Sequence, residues 1–345
     1  MDLKTFVENF DVIAEAPNGI PKLRSLILDL AVRGKLVPQN SEDEPALLLL
    51  QKVQTLKKIL IKEGKIKKIK ESKLAIKPDE IMFPLPQGWC WDNLSKLILQ
   101  IKRGLSLKCN QKGLGIRYIT SGNLLNGKIR LDAEIKFLDN FDKTHSCRLY
   151  PGDVILNCVN SLERLGKSAV FGKEHGDAIV GFNNYALELP NDLVSPDYVH
   201  VFFQSTVFKK QLAPLTKEAI NQASIATREV NSFILPIPPL AEQKRIVEKV
   251  DELMALCDRY EAAKQTRDNL RQQLRGSVIA SLMNAETNEE LDAAWALVRD
   301  NWHNLSQYPE DLEDLKQTTL QLAVRGKLVP QNPEYEPASL LLQKV

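Results

Sequence analysis

The longest regular pattern in the chain is PLAEQKRIVEKVDELMALCDRYEAAKQTRDNLRQQLRGSVIASLMN, which runs from Pro239 to Asn284. At ~1.5 Å per residue it predicts one helix about 70 Å long. Apolar residues recur along it in steps of four and three, which is the spacing of a coiled-coil seam. These apolar residues form a stripe along one side of the helix, and burying that stripe requires a partner helix, from this chain or from another. The predicted seam consists of Ile246, Val250, Leu253, Cys257, Tyr260, Leu270, Leu274, Val278 and Leu282.

The two ends of the chain are near-copies of each other. LRSLILDLAVRGKLVPQNSEDEPALLLLQKV (Leu23–Val53) matches LKQTTLQLAVRGKLVPQNPEYEPASLLLQKV (Leu315–Val345) with 23 identities in 31 positions. Each copy reads as helix, break, helix, because Gly34 suits the end of one helix and Pro45 the start of the next. The leucines could be ordinary core residues. The repeat as a whole suggests one kind of docking surface presented twice.

Between these helical ends, short apolar segments and frequent glycines predict strands and turns. One helix is expected there, over Tyr198–Leu212. The predicted fold class is therefore α+β, with one mixed α/β domain attached to long helices. We divide the chain into a helical region with a lysine-rich linker (residues 1–83), the mixed domain (84–238), and the long helix with the second repeat copy (239–345).

The composition predicts a folded cytoplasmic protein. The chain has 345 residues, 43% of them hydrophobic, and a formal net charge of +2, which excludes a disordered tail protein or a collagen-like fibre. No apolar run approaches ~18 residues, so we expect no membrane span. The start of the chain shows no secretory signal. Five cysteines without a CxxC pair predict reduced thiols rather than a zinc site.

Sequence motifs of catalysis are missing. The chain has no GxxxxGK[ST] loop, no HExxH pair and no GxSxG elbow, and its four histidines form no cluster with cysteines. We therefore expect no catalytic residue, metal or cofactor in this chain. An enzyme whose site is assembled only in space stays open as an alternative.

Basic residues concentrate at the start of the middle domain. Between Asn93 and Leu131 there are eight basic residues and no acidic one, a pattern that indicates contact with an anionic polymer. A merely solvated basic face is the plain alternative. The predicted contacts to DNA phosphates are Lys102, Arg103, Lys108, Lys112, Arg117, Lys128 and Arg130.

Amide and hydroxyl side chains cluster in neighbouring loop-like sequence. Asn and Gln pair with adenine edges in the major groove, and Arg pairs with guanine. In the competing interpretation, asparagines in turns satisfy only the local backbone. The candidate base contacts are Ser121, Asn123, Asn157, Asn160, Ser161, Arg164, Lys167, Asn183, Asn184 and Gln222.

Several strings resemble the specificity (S) subunit of type I restriction-modification systems. They are PIPPLAEQKRIVEKVDELMALCDRYE (Pro236–Glu261), the LAVRGKLVPQN string of both repeat copies, and LPQGWCWDNL (Leu85–Leu94), which is similar to the start of a target-recognition domain. PGDVILN and GKSAVF (Pro151–Asn157 and Gly166–Phe171) resemble the interior of such domains. Most of residues 95–235 shows no such resemblance.

The resemblance implies a non-catalytic reader of double-stranded DNA. Members of that family hold two target-recognition domains apart on an antiparallel pair of long helices. They recruit methyltransferase (M) and restriction (R) subunits, which carry the S-adenosylmethionine, ATP and magnesium chemistry. This chain contains one such domain, so we expect either a natural half-subunit or the first half of a longer protein. The competing class is a coiled-coil scaffold whose middle domain binds another protein.

A half-subunit would need a second copy. Two chains paired antiparallel through the predicted seam would bury its apolar stripe. Their two recognition domains would read a symmetric, interrupted DNA site. We therefore expect a homodimer.

Overall fold

The computed structural model describes residues 3–68, 76–111, 113–132, 135–139, 146–161, 164–216, 223–309, 311–329, 334 and 336–343. The chain forms two compact units, Met1–Asp258 and Arg259–Val345, which are described separately below. Helices and strands are both present, which confirms the α+β fold class. The division at residues 83 and 238 stays a prediction. Among the described helices, none is long and apolar enough to cross a membrane.

The first unit opens with helices that contain the first repeat copy. Their bounds are α1 Leu3–Glu8, α2 Phe10–Glu15, α3 Gly19–Val32 and α4 Ala46–Lys62. After α3 ends, Gly34 has a φ of 64°, and the Lys35 N–H donates to the carbonyl of Leu30 at 2.9 Å. This is the glycine-terminated helix end that the sequence predicts. Pro45 directly precedes α4, so the helix–break–helix reading of this copy is confirmed.

The middle of the first unit contains two larger sheets. An antiparallel sheet has the strand order β2 (Gln100–Arg103), β11 (Asn184–Glu188), β7 (Val154–Asn157) and β9 (Ser168–Val170). A second sheet has the order β10 (Ala178–Val180), β3 (Ile116–Ile119) and β6 (Lys136–Leu138), in which β10 and β3 are parallel. Both sheets contribute to one buried core, which includes Ile119, Ile155, Ile179 and Ala186.

Among the described residues of this region there are also three short pairs of strands. They are β4 (Leu124–Leu125) with β5 (Lys128–Ile129), β8 (Val159–Asn160) with β12 (Ala223–Ser224), and β1 (Cys90–Asn93) with β13 (Ile234–Ile237). In the last pair Cys90 lies opposite Ile237. The chain therefore enters and leaves the mixed domain on two adjacent strands.

The helix predicted over Tyr198–Leu212 is in fact two helices. They are α5 (Pro196–Gln204) and α6 (Thr206–Thr216), and Ser205 between them has an extended ψ of 159°. The Ser205 hydroxyl accepts the N–H of Phe208 at 3.3 Å, and Asp29 accepts the N–H and hydroxyl of Thr206. These acceptors take up N–H groups at the start of a new helix, which have no partner within the helix itself. The single-helix prediction was wrong because the break depends on Asp29, which is distant in sequence. A further helix, α7, spans Thr227–Ser232.

The second unit is a helical bundle. Its helices are the last part of α8 (Leu240–Asn284), α9 (Asn288–Asp300), α10 (Trp302–Leu305), α11 (Asp311–Val324) and α12 (Ala338–Gln343). Thr287 begins α9 and accepts the N–H of Glu290 at 3.2 Å. The core of the unit includes Val278, Leu291, Val298, Leu315 and Leu322, which come from three different helices.

The predicted seam of α8 is largely covered within the chain. Val278 and Leu282 lie in the core of the second unit, and Leu274 packs against it. In the first unit Arg24 of α3 donates to Asp258 at 2.6 Å, so α3 lies beside α8. Leu270 is 61% exposed, and Tyr260 is partly buried. Six members of the predicted seam are buried in this chain: Ile246, Val250, Leu253, Cys257, Val278 and Leu282. This favours partners from the same chain, which is one of the two alternatives, and the pairing with a second copy stays a prediction.

Candidate nucleic-acid interface

One end of the four-stranded sheet gathers loops from distant parts of the sequence. Arg103 at the end of β2 lies opposite Tyr185 of β11, and Asn157 at the end of β7 lies opposite Asn184. Strand β9 begins at Ser168 beside the same end of β7. The loop after β2, the loop between β7 and β9, and the turn before β11 therefore meet there. We call this surface the loop edge and define it as residues 103–111, 158–161, 164–167 and 181–184.

Exposed basic side chains give the loop edge a positive character. The sequence predicted Arg103 and Lys108 as phosphate contacts, and Arg164 and Lys167 as base contacts. All four are exposed, and they lie on the loops that leave this end of the sheet. Arg103 donates from Nη2 to the hydroxyl of Thr227 at 2.7 Å, which orients its guanidinium group. An exposed basic cluster on loops is suited to binding phosphates.

Lys102 is buried and takes no part in this surface. Its side chain is 3% exposed, and Nζ lies 2.8 Å from Asp153 Oδ2 and 3.1 Å from Glu188 Oε2. The ring of Tyr150 covers the ammonium group at 4.6 Å. Burial raises the pKa of Asp153, and the ammonium of Lys102 acts in the opposite direction. The predicted phosphate contact at Lys102 is therefore wrong, since this lysine balances a buried carboxylate instead.

Three other predicted phosphate contacts lie outside the loop edge. Arg117 donates to the carbonyl of His175 at 2.7 Å. Arg130 is exposed and donates from Nε to Asp132 Oδ1 at 2.7 Å. Burial raises the pKa of Asp251 on α8, and the charge of Lys128 lowers it. Lys128 therefore acts on α8. Lys112 lies outside the described residues.

Three of the predicted base contacts are buried and hold the fold together. Asn157, 1% exposed, donates to the carbonyl of Asn183 and to Asn184 Oδ1 at 2.9 and 3.0 Å. Asn184, also 1% exposed, donates to the carbonyl of Ile119 at 3.2 Å and so ties the two sheets together. Asn123 is fully buried and accepts the N–H of Thr120 at 2.9 Å. Direct base contact by these three asparagines was a wrong prediction, because they are buried and their Nδ2 groups donate to internal acceptors.

The remaining candidates are divided between the loop edge and other places. Ser161 is exposed at the loop edge, and Asn160 accepts the N–H of Ser161 at 2.9 Å. Asn183 is half-buried with a φ of 69°, which makes it a turn residue. Ser121 is half-buried outside the loop edge. Gln222 lies outside the described residues.

The sequence reasoning missed an exposed aromatic ring at the loop edge. Phe182 is 45% exposed and precedes Asn183 in the turn before β11. It borders a cavity of about 380 Å³, which is also lined by Ser106, Leu107, Cys109, Asn110, Gln111, Tyr118 and Lys136. The signal that could have found it is the string Gly-Phe-Asn-Asn, in which a large apolar residue stands between turn residues.

A buried polar network connects the first repeat copy to the mixed domain and to α8. Glu242, 1% exposed, accepts hydrogen bonds from Trp89 Nε1 at 2.8 Å and from Gln39 Nε2 at 2.7 Å. Gln243 is fully buried and accepts the N–H of Ser195 at 2.9 Å. Burial raises the pKa of Glu242, and its two donors lower it. The GKLVPQ, LPQGW and LAEQ strings are thus three parts of one contact, which sequence reasoning treated as separate.

The cysteines are free thiols. Cys147, Cys158 and Cys257 are buried, and Cys90 is partly buried. Burial raises the pKa of Cys90 to about 12 and that of Cys158 to about 11, so both stay protonated. Within the part of the chain that the structure describes, no group of three or more His, Cys, Asp or Glu side chains is arranged to hold a metal ion.

A family model and the sequences of known proteins match this chain and agree with each other. Residues 96–267 match the family model of the type I restriction modification DNA specificity domain. The EcoAI specificity subunit of Escherichia coli is 34% identical over 95% of this chain and 55% of its own length. The EcoEI specificity subunit of Escherichia coli is 34% identical over 95% of this chain and 54% of its own length. The chain therefore spans about half the length of these relatives.

Two solved structures are also similar. A chain from a study of complex assembly and conformational transition of the type I R-M system is 17% identical over 94% of this chain and 59% of its own length, with a TM-score of 0.42. The HsdS subunit from Thermoanaerobacter tengcongensis is 16% identical over 86% of this chain and 57% of its own length, with a TM-score of 0.39.

These sequence matches define the class of protein as a type I DNA specificity subunit. The chain belongs to the family of type I restriction-modification specificity subunits. Residues 96–267 include both larger sheets, the loop edge and the first part of α8.

Proposed function

We propose that this chain recognises DNA sequence for a type I restriction-modification complex. The loop edge contacts one half of a bipartite site in double-stranded DNA. The exposed Arg103, Lys108, Arg164 and Lys167 bind phosphates and position the domain, since such contacts supply the sequence-independent part of affinity. Side chains between them read the bases.

The convergence of the loops supports this proposal most strongly. The basic residues lie on two loops, one with Arg103 and Lys108 and one with Arg164 and Lys167, that are distant in sequence. Strand pairing brings those loops to one end of one sheet. A coiled-coil scaffold would need no such collection of exposed basic side chains. We therefore favour the DNA reader over the scaffold.

We further propose that the chain is not itself catalytic. The S-adenosylmethionine, ATP and magnesium ions belong to methyltransferase and restriction subunits that dock on its helical parts. The names of the relatives, which are subunits of type I restriction enzymes, support this assignment. A cytoplasmic location follows from the proposed partners.

A homodimer stays a prediction. Six seam residues of α8 are buried within the chain, so a second copy would bind through other surfaces. Light scattering of the purified chain at micromolar concentration tests this point. A particle of twice the chain mass supports the dimer, and a monomer at every concentration contradicts it.

The function is tested by purifying the chain with a type I methyltransferase subunit and sequencing the methylated positions of plasmid DNA. We expect methylation at one defined site, and none when either protein is omitted. Methyl transfer by the chain alone would contradict the non-catalytic role. Methylation by the pair without sequence preference would contradict DNA recognition by this chain.

A further inference from the structure

Phe182 is an exposed aromatic residue at the centre of the loop edge. Phe182 is 45% exposed, so a large part of its apolar surface stays in water and gains nothing from folding. The ring stands in the turn before β11, between the basic loops that carry Arg103 and Lys108 on one side and Arg164 and Lys167 on the other. The ring also borders a cavity that the loop after β2 lines, so an apolar group, a concave surface and exposed cations lie together at the loop edge.

The turn that carries Phe182 is held rigidly. The Phe182 N–H donates to the hydroxyl of Tyr118 at 2.9 Å, and this hydroxyl donates to the carbonyl of Leu105. The Gly181 N–H donates to the carbonyl of Ile119 at 2.8 Å. Gly104 packs so closely on Gly181 that a Cβ at position 104 would lie 1.7 Å from the Gly181 oxygen. The backbone that carries the ring is therefore ordered before any ligand binds, which lowers the entropy cost of binding.

The surroundings of the ring combine one apolar face with polar groups. The residues that line the cavity of about 380 Å³ beside Phe182 include the polar Ser106, Gln111 and Lys136. Such a mixture fits the edge of a base pair, which offers hydrogen-bonding atoms and, at thymine, a methyl group. The C5-methyl of thymine is the apolar group that the major-groove edges of the bases present.

We propose that Phe182 is a specificity-determining residue of this chain, an inference that rests on the proposed function. Its ring contacts the C5-methyl group of one thymine in the major groove. The neighbouring loop of residues 106–111 contacts the same base pair or the next one. The turn before β11 and the loop after β2 thus read one part of the half-site together.

The test uses the full chain and a duplex library with a randomised segment at low salt. Once the wild type has enriched a sequence, each thymine of that sequence is replaced in turn by uracil, which lacks the methyl group. We expect one thymine at which the replacement weakens wild-type binding about fourfold, the value of one buried methyl group. Phe182→Ala binds the thymine and uracil duplexes equally.

Two variants serve as controls. Leu125→Ala removes an apolar side chain that is 39% exposed outside the loop edge, and it keeps the full uracil effect. Phe182→Leu retains an apolar contact and keeps part of the effect. Thermal melting of each variant checks that the fold is intact, which we expect because Phe182 is not part of the core.

The outcomes separate this inference from the proposed function. If the wild type enriches no sequence, the proposed function fails and this inference fails with it. If the wild type enriches a sequence but no thymine is sensitive, or Phe182→Ala is as sensitive as the wild type, only the role of Phe182 is overturned. A rise in 2-aminopurine fluorescence that depends on Phe182 would also overturn it, since this indicates insertion between bases.

Discussion

Lys102 and Lys108 lie in the same basic stretch of sequence, but the structure gives them different tasks. Lys102 points into the domain, where Asp153 is 2% exposed and needs a counter-ion. Lys108 points outward from the loop edge. The difference arises because Lys102 lies within β2, on the face that packs on Asp153, whereas Lys108 lies in the loop that follows this strand.

Replacing each lysine by methionine separates the two tasks. Lys102→Met leaves Asp153 as an unpaired buried carboxylate, which costs about 3–5 kcal/mol of stability. Lys108→Met changes stability by less than about 0.5 kcal/mol and weakens DNA binding at low salt. Urea unfolding and a DNA-binding titration of both variants check this. Equal stability of the two variants would contradict the buried ion pair.

His200 on α5 predicts a pH dependence of stability. Its ring bonds to Ser168 Oγ at 2.8 Å and to Gln204 Nε2 at 2.7 Å, and burial lowers its pKa from 6.5 to about 4. The unfolded chain therefore takes up the proton first, and the stability present above pH 6.5 is lost as the pH falls toward 4.

The variant His200→Gln isolates this effect from the other titrating groups. The stability of the wild type relative to the variant should fall by up to about 3 kcal/mol between pH 6.5 and pH 4. Urea unfolding at several pH values measures the difference. A difference that stays constant over this range would show that His200 does not titrate as described.

At the scale of elements, the two repeat copies show how one sequence occupies two environments. In the first copy Val32 ends α3 and is fully buried, whereas its counterpart Val324 ends α11 and is 89% exposed. Leu36 is 1% exposed and its counterpart Leu328 is 42% exposed. The first copy packs in the first unit, where the network of Gln39, Trp89 and Glu242 lies.

This pair of valines provides an internal comparison. Val32→Asp buries a charge and should destabilise the first unit by more than about 3 kcal/mol. Val324→Asp should change stability by less than about 0.5 kcal/mol. Both residues end a helix, so the effect of a negative charge at a helix C-terminus is the same in both and cancels. Thermal unfolding of the two variants tests this, and similar losses in both would contradict the difference in burial.

Periodicity and turn residues predicted the elements of the fold better than they predicted its site. The α8 helix, the end of α3 at Gly34 and the strand-rich middle follow from local patterns that sequence displays directly. Asn157, Asn184 and Lys102 could not be assigned in this way, because their partners are distant in sequence and depend on strand register. Phe182 was missed because a lone aromatic residue gives no periodic signal.

At the scale of the whole molecule, the family relationship and the exposed basic residues of the loop edge both support the proposal that this chain binds DNA. The chain spans about half the length of the relatives it matches, and its described residues include the loop edge, for which we propose DNA binding. The first repeat copy and Trp89, at the start of the mixed domain, both bond to the buried Glu242 of α8.

The salt dependence of DNA binding tests the central claim most directly. The variant with Arg103, Lys108, Arg164 and Lys167 all changed to Gln is compared with the wild type. A matched control changes Lys173, Lys209, Lys210 and Lys244, which are exposed outside the loop edge. Our account predicts that the slope of log affinity against log salt falls by roughly 3–4 in the loop-edge variant and stays unchanged in the control. An unchanged slope in the loop-edge variant, or an equal fall in both, would contradict DNA binding at the loop edge.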